Sequence, residues 1–347
     1  MSKEPMEDGG TLGGGGSDPL EGADANAPGA PEASALDTPD AAVDGTRNAR
    51  RTRPAPTWGG LLRAFRKGAR PLDLLPLLAV PVVLAGVFLL PEETRRSFAF
   101  LYTEPTPATA FTAHYVHLQV EHLLGNLLSY ALLAGFGYGV AVVAGVRRFF
   151  LVALVTFTIA FPGVLSALNL AVPRYAISFG FSGVNMALFG VLPVLLSLFA
   201  RERLFPHASL RALPAVFFVL IGWMAFLALP RSMTDLGLAG IAVSVAATLI
   251  GIVYLVSATP SGRSFRAWGE AIVSGRGDGD VLVVGAVILV AYPAVGFPAD
   301  PTADGNVVNL YVHLLGFCLA FIVSYAAIST GLFDEPVASD GPWVFEK

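Results

Sequence analysis

Among 347 residues, one serine has the surroundings of a nucleophile. Ser182 stands in Gly180-Phe181-Ser182-Gly183, at the mouth of an apolar run that continues through Val184, Asn185, Met186, Ala187, Leu188, Phe189 and Gly190. The nearby glycines leave the backbone open to close approach, so a hydroxyl is presented where a loop meets the run. A serine hydroxyl is a poor nucleophile until a base takes its proton, and histidine has the side-chain pKa suited to that task near neutrality. His313, in His313-Leu-Leu-Gly316-Phe-Cys-Leu-Ala320, is the candidate base. His122 and Asn126 lie four residues apart and share a helix face. An imidazole and a carboxamide projecting together can donate hydrogen bonds to a developing oxyanion. The chemistry these types suggest is acyl transfer by a Ser182–His313 dyad.

The elements that must position these groups are membrane spans. The chain is 54% hydrophobic and only 14% charged, with a mean hydropathy of +0.64, too apolar for a soluble globule. Runs of roughly 17 to 25 apolar residues cross a bilayer. Eight occur, at about 73–90, 122–145, 149–170, 182–200, 212–229, 236–257, 281–297 and 308–330. The fold class expected is an all-α, polytopic helical bundle. Ser182 and His122 each open a span and His313 lies in the first two turns of the last. Polar side chains at such positions usually mark function. Gly183, Ala187 and Gly190 recur at helical spacing, as do Gly316 and Ala320, and such small-residue stripes let helices approach closely. Each residue also has a purely structural reading: Ser182 bonding a carbonyl one turn back, Asn126 joining helices, His313 a satisfied interfacial histidine.

Taken in order, H-x-x-x-N at His122 and Asn126, G-x-S-G at Ser182, and a distant His313 followed by small residues resemble the rhomboid family of intramembrane serine proteases. The resemblance covers roughly 111–200 and 308–321. It implies that His122, Asn126 and the Ser182 backbone N–H stabilise the oxyanion, and that Gly180, Gly183 and Gly316 are motif glycines. It also implies a membrane-embedded first loop over Pro91 to Glu121, and substrates that are transmembrane segments entering from the bilayer. No cofactor and no nucleic-acid partner are expected. Three departures stand out: Arg95 and Arg96 lack a neighbouring tryptophan, Ala320 replaces a glycine, and three spans rather than one separate Ser182 from His313. The two additional spans preserve parity, and should sit at the periphery so that the serine and histidine helices touch.

Rival readings are a proteolytically inactive rhomboid-like protein that binds transmembrane helices, and a transporter. Transport usually needs carboxylates inside spans, whereas Asp73, Glu121 and Asp235 sit at span edges. A metal at His114, His117 and His122 is disfavoured because offsets of 3 and 5 do not share one helix face. His207 reads as solvated and Cys318 as packing.

Around the bundle, residues 1–56 form a tail with ten acids through Asp44 against Lys3 alone, expected to be disordered and without a signal-peptide core. From Arg47 to Arg70 there are eight Lys/Arg and no acid, and 57–70 reads as a basic amphipathic segment. The membrane domain is 71–331, and 332–347 is a short tail. If the N-terminus is cytoplasmic, twelve basic residues flank spans inside and four (Arg95, Arg96, Arg174, Arg231) outside, which places both termini in the cytoplasm of a multi-pass cell-membrane protein.

Overall fold

The structure, a computed structural model, describes residues 57–172, 175–205, 209–229, 235–258, 265–298, 300 and 308–333, without the side chains of 235–236 and 265–268. All belong to one compact unit, Pro54–Lys347. The acidic tail, most of the C-terminal tail, His207, Arg174, Arg231, Arg263 and the side chain of Arg266 lie outside the described residues.

Helix α1 (Trp58–Gly68) is capped by the Thr57 hydroxyl, which accepts from Gly60 N–H. Helix α2 (Leu74–Phe88) is apolar on every side and carries Pro81 internally, as spans tolerate. The first loop folds as α3 (Glu92–Ser97), β1 (Phe100–Leu101) and α4 (Pro107–Thr112). Arg95 binds this loop together: its guanidinium lies 4.5 Å from the centre of the Phe88 ring and donates to the carbonyl of His117 at 2.6 Å.

Helix α5 (Val120–Val143) carries His122 and Asn126 in its first two turns. The run expected at 149–170 is two helices, α6 (Arg147–Ile159) and α7 (Phe161–Asn169), bent by 48°. Pro162, in the first turn of α7, has no N–H to continue the ladder of α6. Strand β2 (Ile177–Ser178) pairs antiparallel with β1, tying the first loop to the segment just before Ser182.

Helix α8 (Ser182–Arg203) is the centre of the bundle, buried along most of its length. A helix apolar all round belongs inside, and glycines set its contacts. Helices α9 (Leu213–Leu227) and α10 (Asp235–Ala258) form a hairpin in which a Cβ at Gly222 would stand 2.5 Å from Thr248 Oγ1. Helix α10 is the least buried of the long helices described. After α11 (Phe265–Ser274) come α12 (Asp278–Ala291), whose Gly285 lies against Leu196 of α8, and the short α13 (Pro293–Gly296). Helix α14 (Leu310–Ser329) is capped by Asn309, whose side chain accepts from Val312 N–H.

Among the described residues seven helices are long and apolar enough to cross a membrane, and the bent α6–α7 pair makes eight if it is one span. This is a polytopic, multi-pass membrane protein of the all-α class, as the apolar runs imply.

At one end of the bundle the buried charges are paired. Asp73 accepts from both Arg147 (2.9 Å) and the Tyr138 hydroxyl (2.6 Å), and Arg203 pairs with the buried Asp278 at 3.1 Å. Helix α1 lies at this same end, with Gly68 against Val142 and the Trp58 backbone against Gly277.

Candidate active site

The opposite end holds the groups with chemical potential. Gly180 has φ +111, a conformation that favours glycine, and its N–H donates to Ala113 O at 2.9 Å. A Cβ there would lie 2.6 Å from the His122 ring, so that imidazole packs directly on the turn leading into Ser182. Phe181 N–H donates to His117 Nε2 at 3.4 Å, fixing the same turn from the first-loop side. Ser182 is the first residue of α8 and is half-buried.

Helices α8 and α14 meet backbone to backbone. A Cβ at Gly316 would stand 2.2 Å from Gly183 O, and one at Gly190 would stand 2.4 Å from Phe317 O. Beside Ser182, a Cβ at Gly183 would strike Val312 Cγ1 at 2.6 Å, the residue preceding His313. No inserted span separates the serine and histidine helices.

His313 is buried, and its Nδ1 lies 2.7 Å from Gly296 O at the end of α13. A carbonyl oxygen only accepts, so Nδ1 carries the proton and Nε2 of the neutral ring keeps its lone pair. The ring of Phe297 stands edge-on at 6.1 Å. The last part of the insertion therefore reaches the site, through a main-chain oxygen and an aromatic ring rather than a polar side chain. The α9–α10 hairpin touches α14 further along, with Phe217 stacked on Phe317 at 5.6 Å.

The bond expected between Ser182 Oγ and His313 at 2.6–3.2 Å is not formed: among the described residues Ser182 Oγ makes no hydrogen bond, and His313 is drawn toward α13. Catalytic contacts in substrate-free sites are commonly loose and tighten on binding.

Asn126 is buried, and its Nδ2 donates to His122 O at 2.9 Å. One amide N–H is thus committed within α5 and a second is left. Its Oδ1 accepts from Asn185 Nδ2 at 3.1 Å. Asn185 is thereby joined to Asn126, a partnership that no motif in the sequence marks. The available signal was an amide three residues after Ser182 inside an apolar run.

The other two nearby histidines do not converge. His114 Nε2 donates to Ser166 Oγ at 3.1 Å, since that hydroxyl gives its proton to Ala110 O. His117 rests edge-on against His122, centroids 4.9 Å apart. Burial depresses both first-loop imidazoles, His114 to about 4 and His117 to about 3, the latter also through its neighbour His122. Among the described residues no three His, Cys, Asp or Glu side chains are grouped to hold a metal ion.

No curated protein and no solved structure matches this chain. The family model of the rhomboid domain matches residues 105–261, a span that includes the first-loop histidines, His122, Asn126 and Ser182 and stops before His313. The match, over a little under half of the chain, supports a place for this membrane protein in the rhomboid family, to which the glycine-lined approach of α8 to α14 and the His122–Gly180 contact already described also point.

Proposed function

We propose that the chain is an intramembrane serine endopeptidase that cleaves peptide bonds in or near the transmembrane segments of other membrane proteins. Ser182 is the nucleophile and His313 its base. The observation that carries this reading is the tautomer of His313: with Nδ1–H held by Gly296 O, the nitrogen free to take a proton is Nε2. As Ser182 Oγ attacks the scissile carbonyl carbon, its proton passes to Nε2. The oxyanion is met by the Ser182 backbone N–H, His122 and the remaining Asn126 N–H. Collapse breaks the C–N bond and the departing amine takes the proton from the imidazolium. Water, deprotonated in turn by His313, then releases the acyl group from Ser182. The basic residues flanking the spans support a cell-membrane protein with cytoplasmic termini, cleaving near the outer leaflet.

The missing Ser182–His313 bond favours a second reading, an inactive relative that binds transmembrane helices. Both are tested by purified protein in liposomes with a fluorogenic peptide bearing a transmembrane segment. The protease reading expects cleavage that is abolished in Ser182→Ala and in His313→Ala, the double variant being no worse than either, since members of one catalytic unit are non-additive. Turnover near the wild-type level in Ser182→Ala contradicts it, and binding of the peptide without any cleavage by the wild type supports the inactive reading.

A further inference from the structure

We infer that Asn185 is a positioning residue that fixes the orientation of the Asn126 carboxamide, and so aims the oxyanion-directed N–H. This rests on the protease reading and deepens it. Asn185 Nδ2 lies 3.0 Å from the Asn126 main-chain oxygen and 3.1 Å from Asn126 Oδ1. The main-chain oxygen only accepts, so the Asn185 atom facing it is the nitrogen; the chemistry settles the flip. With a donor standing there, Asn126 turns Oδ1 toward it and Nδ2 toward His122 O. Rotating the Asn126 amide by half a turn would set nitrogen against nitrogen and oxygen against oxygen. The second N–H of Asn126 therefore has one direction.

The local burial argues that this is more than a tie between helices. Asn185 is 1% exposed, and its own Oδ1 is buried with no hydrogen-bond partner. A residue selected only for packing between α5 and α8 is better served by an aliphatic side chain than by an amide whose acceptor is left unmatched. The stranded oxygen is the consequence of turning both N–H groups toward Asn126. Because Asn185 is one turn beyond Ser182, it also links the nucleophile's helix to the helix bearing the oxyanion donors.

The test is a double-mutant cycle in full-length protein, using the same fluorogenic transmembrane peptide in liposomes and recording kcat, KM and thermal unfolding. Asn185→Leu is expected to lower kcat on the order of ten- to hundredfold through misorientation of a positioned group, with KM and the unfolding midpoint little changed. In an Asn126→Ala background the same substitution should change kcat no further, because there is no amide left to aim. Asn185→Ala, which cannot overpack, serves the same cycle if the leucine variant does not fold. Equal losses in both backgrounds, or an unchanged kcat in Asn185→Leu beside a damaged Asn126→Ala, would overturn the assignment. If Asn126→Ala itself cleaves normally, the oxyanion role of Asn126 fails first and takes the positioning role with it.

Discussion

The two ends of this bundle treat buried polar groups in opposite ways. At the α1 end, Asp73 has Arg147, Tyr138 and the Arg70 N–H, and Asp278 has Arg203. At the Ser182 end the Glu92–Arg96 ion pair of α3 is exposed, and the atoms buried without hydrogen-bond partners among the described residues collect there: Nδ1 of His114, His117 and His122, and Oδ1 of Asn185. A buried polar atom without a partner is destabilising, so native proteins keep few. Their concentration around one serine, opposite the matched charges, is what the proposed catalytic role of this end would require.

Substitutions at the two ends should separate these roles. The largest effect expected is from Asp278→Ala, which leaves the part-buried Arg203 without the carboxylate it pairs with. Removing one partner of a buried pair lowers stability by about 3 to 5 kcal/mol, read as a depressed unfolding midpoint, while kcat of the molecules that remain folded stays near wild type. Asn126→Ala should do the reverse, cutting kcat about 10²- to 10³-fold with little change in the midpoint. Should Asn126→Ala unfold the protein instead, the contrast between the ends fails.

Acidification probes the first-loop histidines. Their folded pKa values lie below the ordinary 6.5, so the unfolded chain binds protons that the folded one refuses. Stability is complete above pH 6.5 and is lost as pH falls toward 4 and 3, with His114 alone contributing up to roughly 3 kcal/mol. The unfolding midpoint should drop across this window, and His114→Gln should flatten part of the drop. The smallest effect is from Tyr138→Phe, which removes one hydrogen bond to the Asp73 carboxylate while Arg147 remains. About 1.5 to 3 kcal/mol is typical for a hydrogen bond to a charged group, visible in thermal unfolding and not in kcat.

Much of this arrangement is legible in the sequence because lipid demands long apolar runs and polar residues stand out within them. His122, Asn126, Ser182 and His313 are visible by type and placement, and the direct approach of α8 to α14 by Gly183, Gly190, Gly316 and Ala320. The bend between α6 and α7 is hidden because Pro162 sits in a run apolar enough to read as one span. Asn185 is hidden for a related reason, a lone amide whose partner is 59 residues away. The Gly296 carbonyl could not be read at all, since every residue has one and only the fold brings this one to His313.

The central claim, that Ser182 is a nucleophile activated by His313, is tested most directly by treating the purified protein with a fluorophosphonate and locating the adduct by mass spectrometry. Phosphonylation of Ser182 in the wild type, and its loss in His313→Ala, is the predicted result. An unmodified Ser182 in the wild type, or equal labelling in His313→Ala, would contradict the account.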